Sequence, residues 1–329
     1  MRFSELDNST KVILKVIFAF LTLVFLWAIR DIILLLLVAL ILASAMEPLV
    51  DYLHRKKIPR IISVFTVYVV VIGATALVIY LMIPPVVSQF RILMANLPQY
   101  SQELQNQFGG FNVQGFIQNL ASNFSGGNVL SQTFGVFNGA LDVVAVLVIS
   151  LYLVAEEKGI KTFVASIIPS RHHEFTLSLI NKIQKKMGMW VLGQVIISFG
   201  IFIFTYIGLL ILHVQYALAL ALVAGLFEVV PYIGPFLSAI PAMFVGFIQH
   251  PSLAIWVAVL YLLVHEVEGY ILVPKIMEKA VGTSPLLTLV ALLVGYQLAG
   301  VIGLLISVPL ATAITVAVEE FFATRGAAS

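Results

Sequence analysis

No cysteine occurs in this chain, so disulfides, thiolate metal sites and cysteine nucleophiles are excluded. Charge is almost as scarce, at 10% of the residues against 61% hydrophobic. Residues 187–227 contain no Asp, Glu, Lys or Arg, a run about twice the 20 or so residues that cross a bilayer core. The sequence also has no Walker loop, no HExxH pair and no Gly-x-Ser-x-Gly elbow, so nucleotide-driven pumps and the commoner intramembrane hydrolases lose their usual supports. A net charge of +2 gives no footprint for nucleic acid. What is left is a polytopic, all-α membrane protein set in a lipid bilayer, with no enzymatic site and no cofactor expected.

Eight hydrophobic segments can be traced. The first, 12–29, has the look of a signal peptide, but the apolar run resumes after Arg30 and Asp31 and continues to Ala45. The only small-residue cleavage pattern, Ala43-Ser44-Ala45, lies far beyond a normal hydrophobic core, so two uncleaved spans in a tight hairpin are expected. The basic cluster Arg55, Lys56, Lys57 and Arg60 marks a cytoplasmic loop. A third span, 61–83, should stop at the Pro84-Pro85 pair.

From residue 84 to 135 the chain turns rich in Gln, Asn, Ser and Gly and is too polar to span. Its first half still carries one apolar helical stripe, Val86, Phe90, Leu93, Leu97, Tyr100, Leu104 and Phe108, with Pro98 placed to kink it. This extracytoplasmic amphipathic arm could lie on the membrane or pack on a second copy, which makes a homo-oligomer one expectation. A fourth span, 136–155, with Asp142 near one end, leads into a basic connector whose Phe175, Leu179, Ile183, Met187 and Trp190 form another stripe. His172 and His173 in it are adjacent and point about 100° apart on a helix, so no metal site is expected.

The most unusual stretch runs from Glu228 to Pro241, EVVPYIGPFLSAIP. It sets a carboxylate, three prolines and a glycine inside a segment, 214–249, that otherwise reads as membrane. Proline removes a backbone donor and clashes with the preceding turn, so Pro231 and Pro235 should split the segment into two halves, each short for a crossing, with Pro241 a further break. The last segment, 285–322, is interrupted in the same way by GYQLAG and Pro309.

Basic residues choose between topologies. If both split segments are re-entrant hairpins and the other six cross, sixteen of the 18 Lys and Arg fall inside with both termini cytoplasmic, against fourteen if the split segments cross fully. The hairpin arrangement makes 190–249 and 252–322 two span-plus-hairpin units of opposite orientation, an inverted repeat of the kind secondary transporters use. The chain then divides into a three-span scaffold (1–83), the arm (84–135), the fourth span and cytoplasmic connector (136–189), a transport core (190–322) and a tail (323–329).

The segment FEVVPYIGPFLSAIPA, with VEGYILVPKIMEKAVGTSPLLTLVALLVGYQLAGVIGLLISVPLA downstream, resembles the C-terminal signature of the autoinducer-2 exporter (AI-2E) family of bacterial permease-like proteins. The likeness is strongest over 185–320 and is one of pattern upstream. It implies eight hydrophobic segments, a bacterial inner membrane, and transport: export of a furanosyl signal in some members, exchange of sodium or lithium for protons in others. Pro231 to Pro235, Glu268, Pro274, Lys275, Pro285, Gly295, Gly300 and Pro309 fall on signature positions.

An ionisable group inside a span needs a partner or a function. Glu228, beside the break, is the leading candidate for binding a solute or cation, with Pro231, Gly234 and Pro235 shaping the break. Glu268 and Gln297 are further binding candidates, the latter a donor and acceptor without charge. Pro241, Gly295, Gly300 and Pro309 are candidate hinges, and His265 with Glu266 a candidate proton relay. Asp142 and Gln194 rank lower. The reading is a secondary transporter working by alternating access on a small polar solute or a cation, with Na+ or H+ as coupling ion and the site between the two hairpin tips. The alternatives are a Na+(Li+)/H+ antiporter and, in another class, a membrane scaffold that recruits partners through its arm.

Overall fold

The computed structural model describes residues 8–108, 140–156, 166, 168–277 and 285–326. The distal arm from 109, Lys158, Lys161, Lys279 and the end of the tail lie outside the described residues. The described chain is helical, with no strand among the described residues. The helices are α1 (Asn8–Ala28), α2 (Arg30–His54), α3 (Arg60–Phe108), α4 (Ala140–Ala155), α5 (His173–Ile211), α6 (Ala217–Phe227), α7 (Ile233–Gln249), α8 (Pro251–Val267), α9 (Val273–Met277) and α10 (Pro285–Gly326). A π turn, Glu268–Leu272, joins α8 to α9.

Among the described residues, five stretches are long and apolar enough to cross a membrane: Arg30–His54, Arg60–Leu81, His173–Ile211, Pro251–Met277 and Leu286–Ala323. The surface and interior are sorted for lipid. Large apolar side chains such as Phe199, Trp256, Leu262 and Leu293 face outward, while Ala39, Ser44, Ser63, Ser150, Thr205 and Ala242 are buried. Helices in hydrocarbon gain nothing by hiding Leu from lipid and associate through close contacts between small residues.

Two clusters result. Ala43, Ala45, Met46 and Val50 of α2 pack with Val64, Val67 and Tyr68 of α3 and Val154 of α4. The second cluster surrounds α5, through Trp190, Ile197, Ile201 and Leu209, and draws in α6, α7, α8 and α10. The clusters meet where Gly188 of α5 lies against the backbone of Ser44 in α2, so closely that any side chain at 188 would strike the Ser44 carbonyl.

Two sequence boundaries fall differently. The expected stop at Pro84-Pro85 is absent, and α3 runs on through both prolines and Pro98 to Phe108. At about 1.5 Å per residue its 49 residues reach about 74 Å, far beyond the hydrocarbon. The prolines deprive the carbonyls of Tyr80 and Leu81 of their amide donors, but both residues are exposed and water or headgroups can serve them. The basic connector and the fifth span likewise form one helix, α5, whose His173 ring bonds the Ile168 carbonyl at 2.7 Å.

Both split segments fold back. α6 and α7 form an antiparallel pair, and their outer ends close on each other beside the C-terminus of α5: the Gln249 side chain accepts from the Gln215 amide at 2.9 Å and donates to the His213 carbonyl at 3.4 Å. In α10, Ala299 and Gly300 leave helical geometry, with Gly300 at φ 57°. Gly295 and Gly303, eight positions apart, consequently lie face to face. The outgoing arm of α10 returns to the N-terminal half of α5, where Glu320 pairs with Lys182 at 2.5 Å. The first hairpin thus closes at the C-terminal end of α5, and the outgoing arm of α10 ends beside its N-terminal half.

Candidate functional site

The break between α6 and α7 is built from tightening turns. The Glu228 amide still bonds Ala224, as in a helix, but those of Val229 and Val230 reach only Leu226 and Phe227, three residues back. Pro231 has no amide to continue the series. Tyr232 then takes φ 65°, ψ −41°, closed by a 2.8 Å bond from the Ile233 amide to the Pro231 carbonyl, a strained γ turn. The residue with positive φ in this break is therefore a tyrosine. Gly234 is needed for a different reason: a side chain there would collide with the Phe227 carbonyl and come within 2.9 Å of the Glu228 nitrogen.

α5 holds this break from outside. The Gln194 side chain donates to the Glu228 backbone carbonyl at 2.5 Å, with both groups buried. Gly225 lets α6 settle on Ser198 and Phe202, where a β-carbon would stand 3.0 Å from the Ser198 carbonyl.

A small pocket opens beside the break, walled by α5, the two hairpin helices, α8 and the π turn. Its polar lining is Thr205, Glu228, Ser238, Tyr261, His265 and Glu268, and among the described residues no Lys or Arg lines it. Glu228 is fully buried. Neither of its carboxyl oxygens has a hydrogen-bond partner among the described residues, nor do the hydroxyls of Thr205 and Tyr261. Ser238 is occupied, donating to the Pro235 carbonyl at 3.1 Å. Glu268 stands beside Glu228, close enough for the two carboxyls to repel when both are charged and to share a proton when one is not. On its other side Glu268 Oε2 meets His265 Nδ1 at 3.3 Å.

Helical spacing explains this gathering. Tyr261, His265 and Glu268 follow at steps of four and three and share one face of α8, whereas Glu266 lies off that face and is exposed. The π turn begins at Glu268, and such turns recur at functional sites. Among the sequence candidates, the structure brings together Glu228, Pro235, Glu268 and His265 at the pocket, with Gly234 and Pro231 forming the adjoining turn. Pro241 sits within α7, half-buried. Gln297 is exposed near the α10 break, Gly295 and Gly300 shape that break, and Pro309 is buried in the outgoing arm. None of these α10 residues lines the pocket.

Thr205, Tyr261 and Ser238 were not among the candidates, and Gln194 ranked low. Gln194, Ser198 and Thr205 lie at steps of four and seven, so the sequence does contain a polar stripe on α5. The group of two carboxyls, an imidazole and free hydroxyls can bind a proton or a monovalent cation. Among the described residues no set of three or more His, Cys, Asp or Glu side chains is arranged to hold a metal ion.

Comparison with known proteins points the same way. Residues 16–323 match the profile of the AI-2E family transporter. YueF of Bacillus subtilis (strain 168) is 29% identical over 297 residues, covering 83% of this chain and 79% of that protein. YhhT of Escherichia coli (strain K12) is 30% identical over 300 residues, covering 86% of this chain and 83% of its own length. Both carry provisional names as transport proteins.

Proposed function

The chain belongs to the AI-2E family of transporters, and from that premise we propose that it is a secondary transporter of the bacterial inner membrane, coupled to a gradient of H+ or Na+, with the Glu228 pocket as its ion- or solute-binding site. This reading rests on one observation: a fully buried carboxyl faces a second carboxyl in a pocket where, among the described residues, no cationic Lys or Arg and no other neutral donor meets it. A stable core does not leave such a group unmatched unless a ligand or proton completes it.

Alternating access follows from where the pocket sits. It is bounded on one side by α5 and on the other by a hairpin tip whose Glu228 carbonyl accepts the Gln194 side chain. The α6–α7 hairpin is re-entrant from the outer face, the α10 hairpin from the cytoplasmic face, and both termini are cytoplasmic. A shift of the tip relative to α5 exposes the pocket first to one side and then to the other. The hairpin-bearing half moves against the scaffold of α2, α3 and α4.

A second reading, exchange of a monovalent cation such as Na+ or Li+ for protons, is favoured by the lining itself. Its titratable groups are two carboxyls, one imidazole and one phenol, which suits cations better than an anionic solute.

Purified protein in liposomes tests both. Under an imposed pH gradient, flux of a polar furanosyl solute identifies the exporter, and dissipation of the gradient on adding Na+ or Li+ identifies the antiporter. Absence of every flux would overturn the transport assignment and favour partner recruitment by the arm.

A further inference from the structure

The two acidic residues of the pocket are not equivalent. Glu268 has an imidazole against one oxygen at 3.3 Å, its side chain is 8% exposed, and that of His265 is 34% exposed. Glu228 has no exposure and, among the described residues, no donor facing its carboxyl except Glu268 when that acid is protonated. Around it, α5 contributes Thr205 and the Gln194 amide, α7 contributes Ser238, and α8 contributes Tyr261. The titratable groups facing the pair are thus His265 and Tyr261 on α8, with Tyr232 of the γ turn also within reach of the Glu268 charge.

Charge balance in a water-poor pocket follows. His265 can supply one positive charge, and it is placed on Glu268. A second negative charge on Glu228 would have neither a cation nor a donor, and a charge taken out of water without a partner is neutralised instead. We infer that Glu228 and Glu268 form an asymmetric acid pair, in which Glu228 is the exchangeable acid that holds the proton or the replacing cation, and His265 is the positioning residue that fixes Glu268 as the charged partner. This inference builds on the proposed binding site, but its chemistry can be read without any transport.

Dicyclohexylcarbodiimide, an apolar reagent that attacks protonated carboxyls shielded from water, is the probe. The full chain in liposomes is treated across a pH series and mapped by peptide mass spectrometry, with flux measured on the same vesicles. Wild-type protein should be modified at Glu228 and not at Glu268 or the exposed Glu266, and E228Q should lose the label. H265Q, which removes the partner of Glu268 and leaves both carboxyls in place, should split the label between Glu228 and Glu268 and change its pH profile. A folded wild type without label on Glu228, equal label on both acids, or an H265Q pattern identical to wild type would each overturn the inference. The expected labelling with no flux in any assay would retain the acid pair and remove the transport reading.

Discussion

At the scale of single residues, the pocket depends on groups whose removal has separable effects. Glu228→Gln keeps the volume and the backbone bond to Gln194 but abolishes the exchangeable charge. The expected outcome is loss of ion-coupled flux in liposomes with the elution profile and Tm unchanged, and coupling at wild-type level would remove Glu228 from the site. Gln194→Leu does the reverse, leaving both carboxyls and stranding the Glu228 carbonyl. Interhelical hydrogen bonds in membranes contribute roughly 0.6 to 2 kcal/mol, so a lower Tm and a slower transport cycle are expected together. The ionisable members, Glu228, Glu268 and His265, were legible in the sequence because charge inside an apolar run is rare and demands a reason. Tyr261 was not, because a tyrosine in an apolar helix reads as an aromatic side chain first, nor were Thr205 and Ser238, because Ser and Thr hydroxyls are common in membrane helices, where they bond a carbonyl of the preceding turn. Thr312 does this to Val308 at 2.9 Å, and nothing in a single sequence separates it from the unpartnered Thr205.

At the scale of elements, the break in 214–249 was visible from its prolines, but its mechanism was not. Proline explains where the helix stops, whereas the reversal is carried by Tyr232 at positive φ and by the contact of Gly234 with the end of α6. Gly234→Ala should therefore disturb the hairpin. The added methyl meets backbone, which cannot swing aside, so a penalty of about 1 to 3 kcal/mol is expected from overpacking. A thermal-shift measurement in detergent checks it, and an unchanged Tm would mean the two arms are not in contact at this point. The Pro84-Pro85 pair shows the opposite case. The same residue type that ends α6 is accommodated in α3, where the freed carbonyls belong to exposed residues that water or headgroups can reach. Local sequence alone does not report that difference, since it depends on what surrounds the helix.

At the scale of the whole molecule, the two hairpins give the fold its polarity, and α5 is the common reference. The first hairpin closes beside the C-terminus of α5 through Gln249, and the second returns to its basic N-terminal half through Lys182 and Glu320. An ion pair this exposed contributes at most about 1 kcal/mol, so its value here is as a marker of proximity. The Lys and Arg distribution alone favoured hairpins over full crossings only modestly, because only two lysines change sides. The absence of cysteine makes the question directly testable, since an introduced thiol has no native background. Ser252→Cys and Lys275→Cys, both at exposed positions, bracket α8. With re-entrant hairpins, a membrane-impermeant maleimide applied to intact cells should label position 252 at once and position 275 only after permeabilisation. Full crossing of both split segments would exchange the two results, placing 252 inside and 275 outside. The pocket would then face a helix that passes through the bilayer instead of a movable tip, and alternating access by the hairpin would have no structural basis.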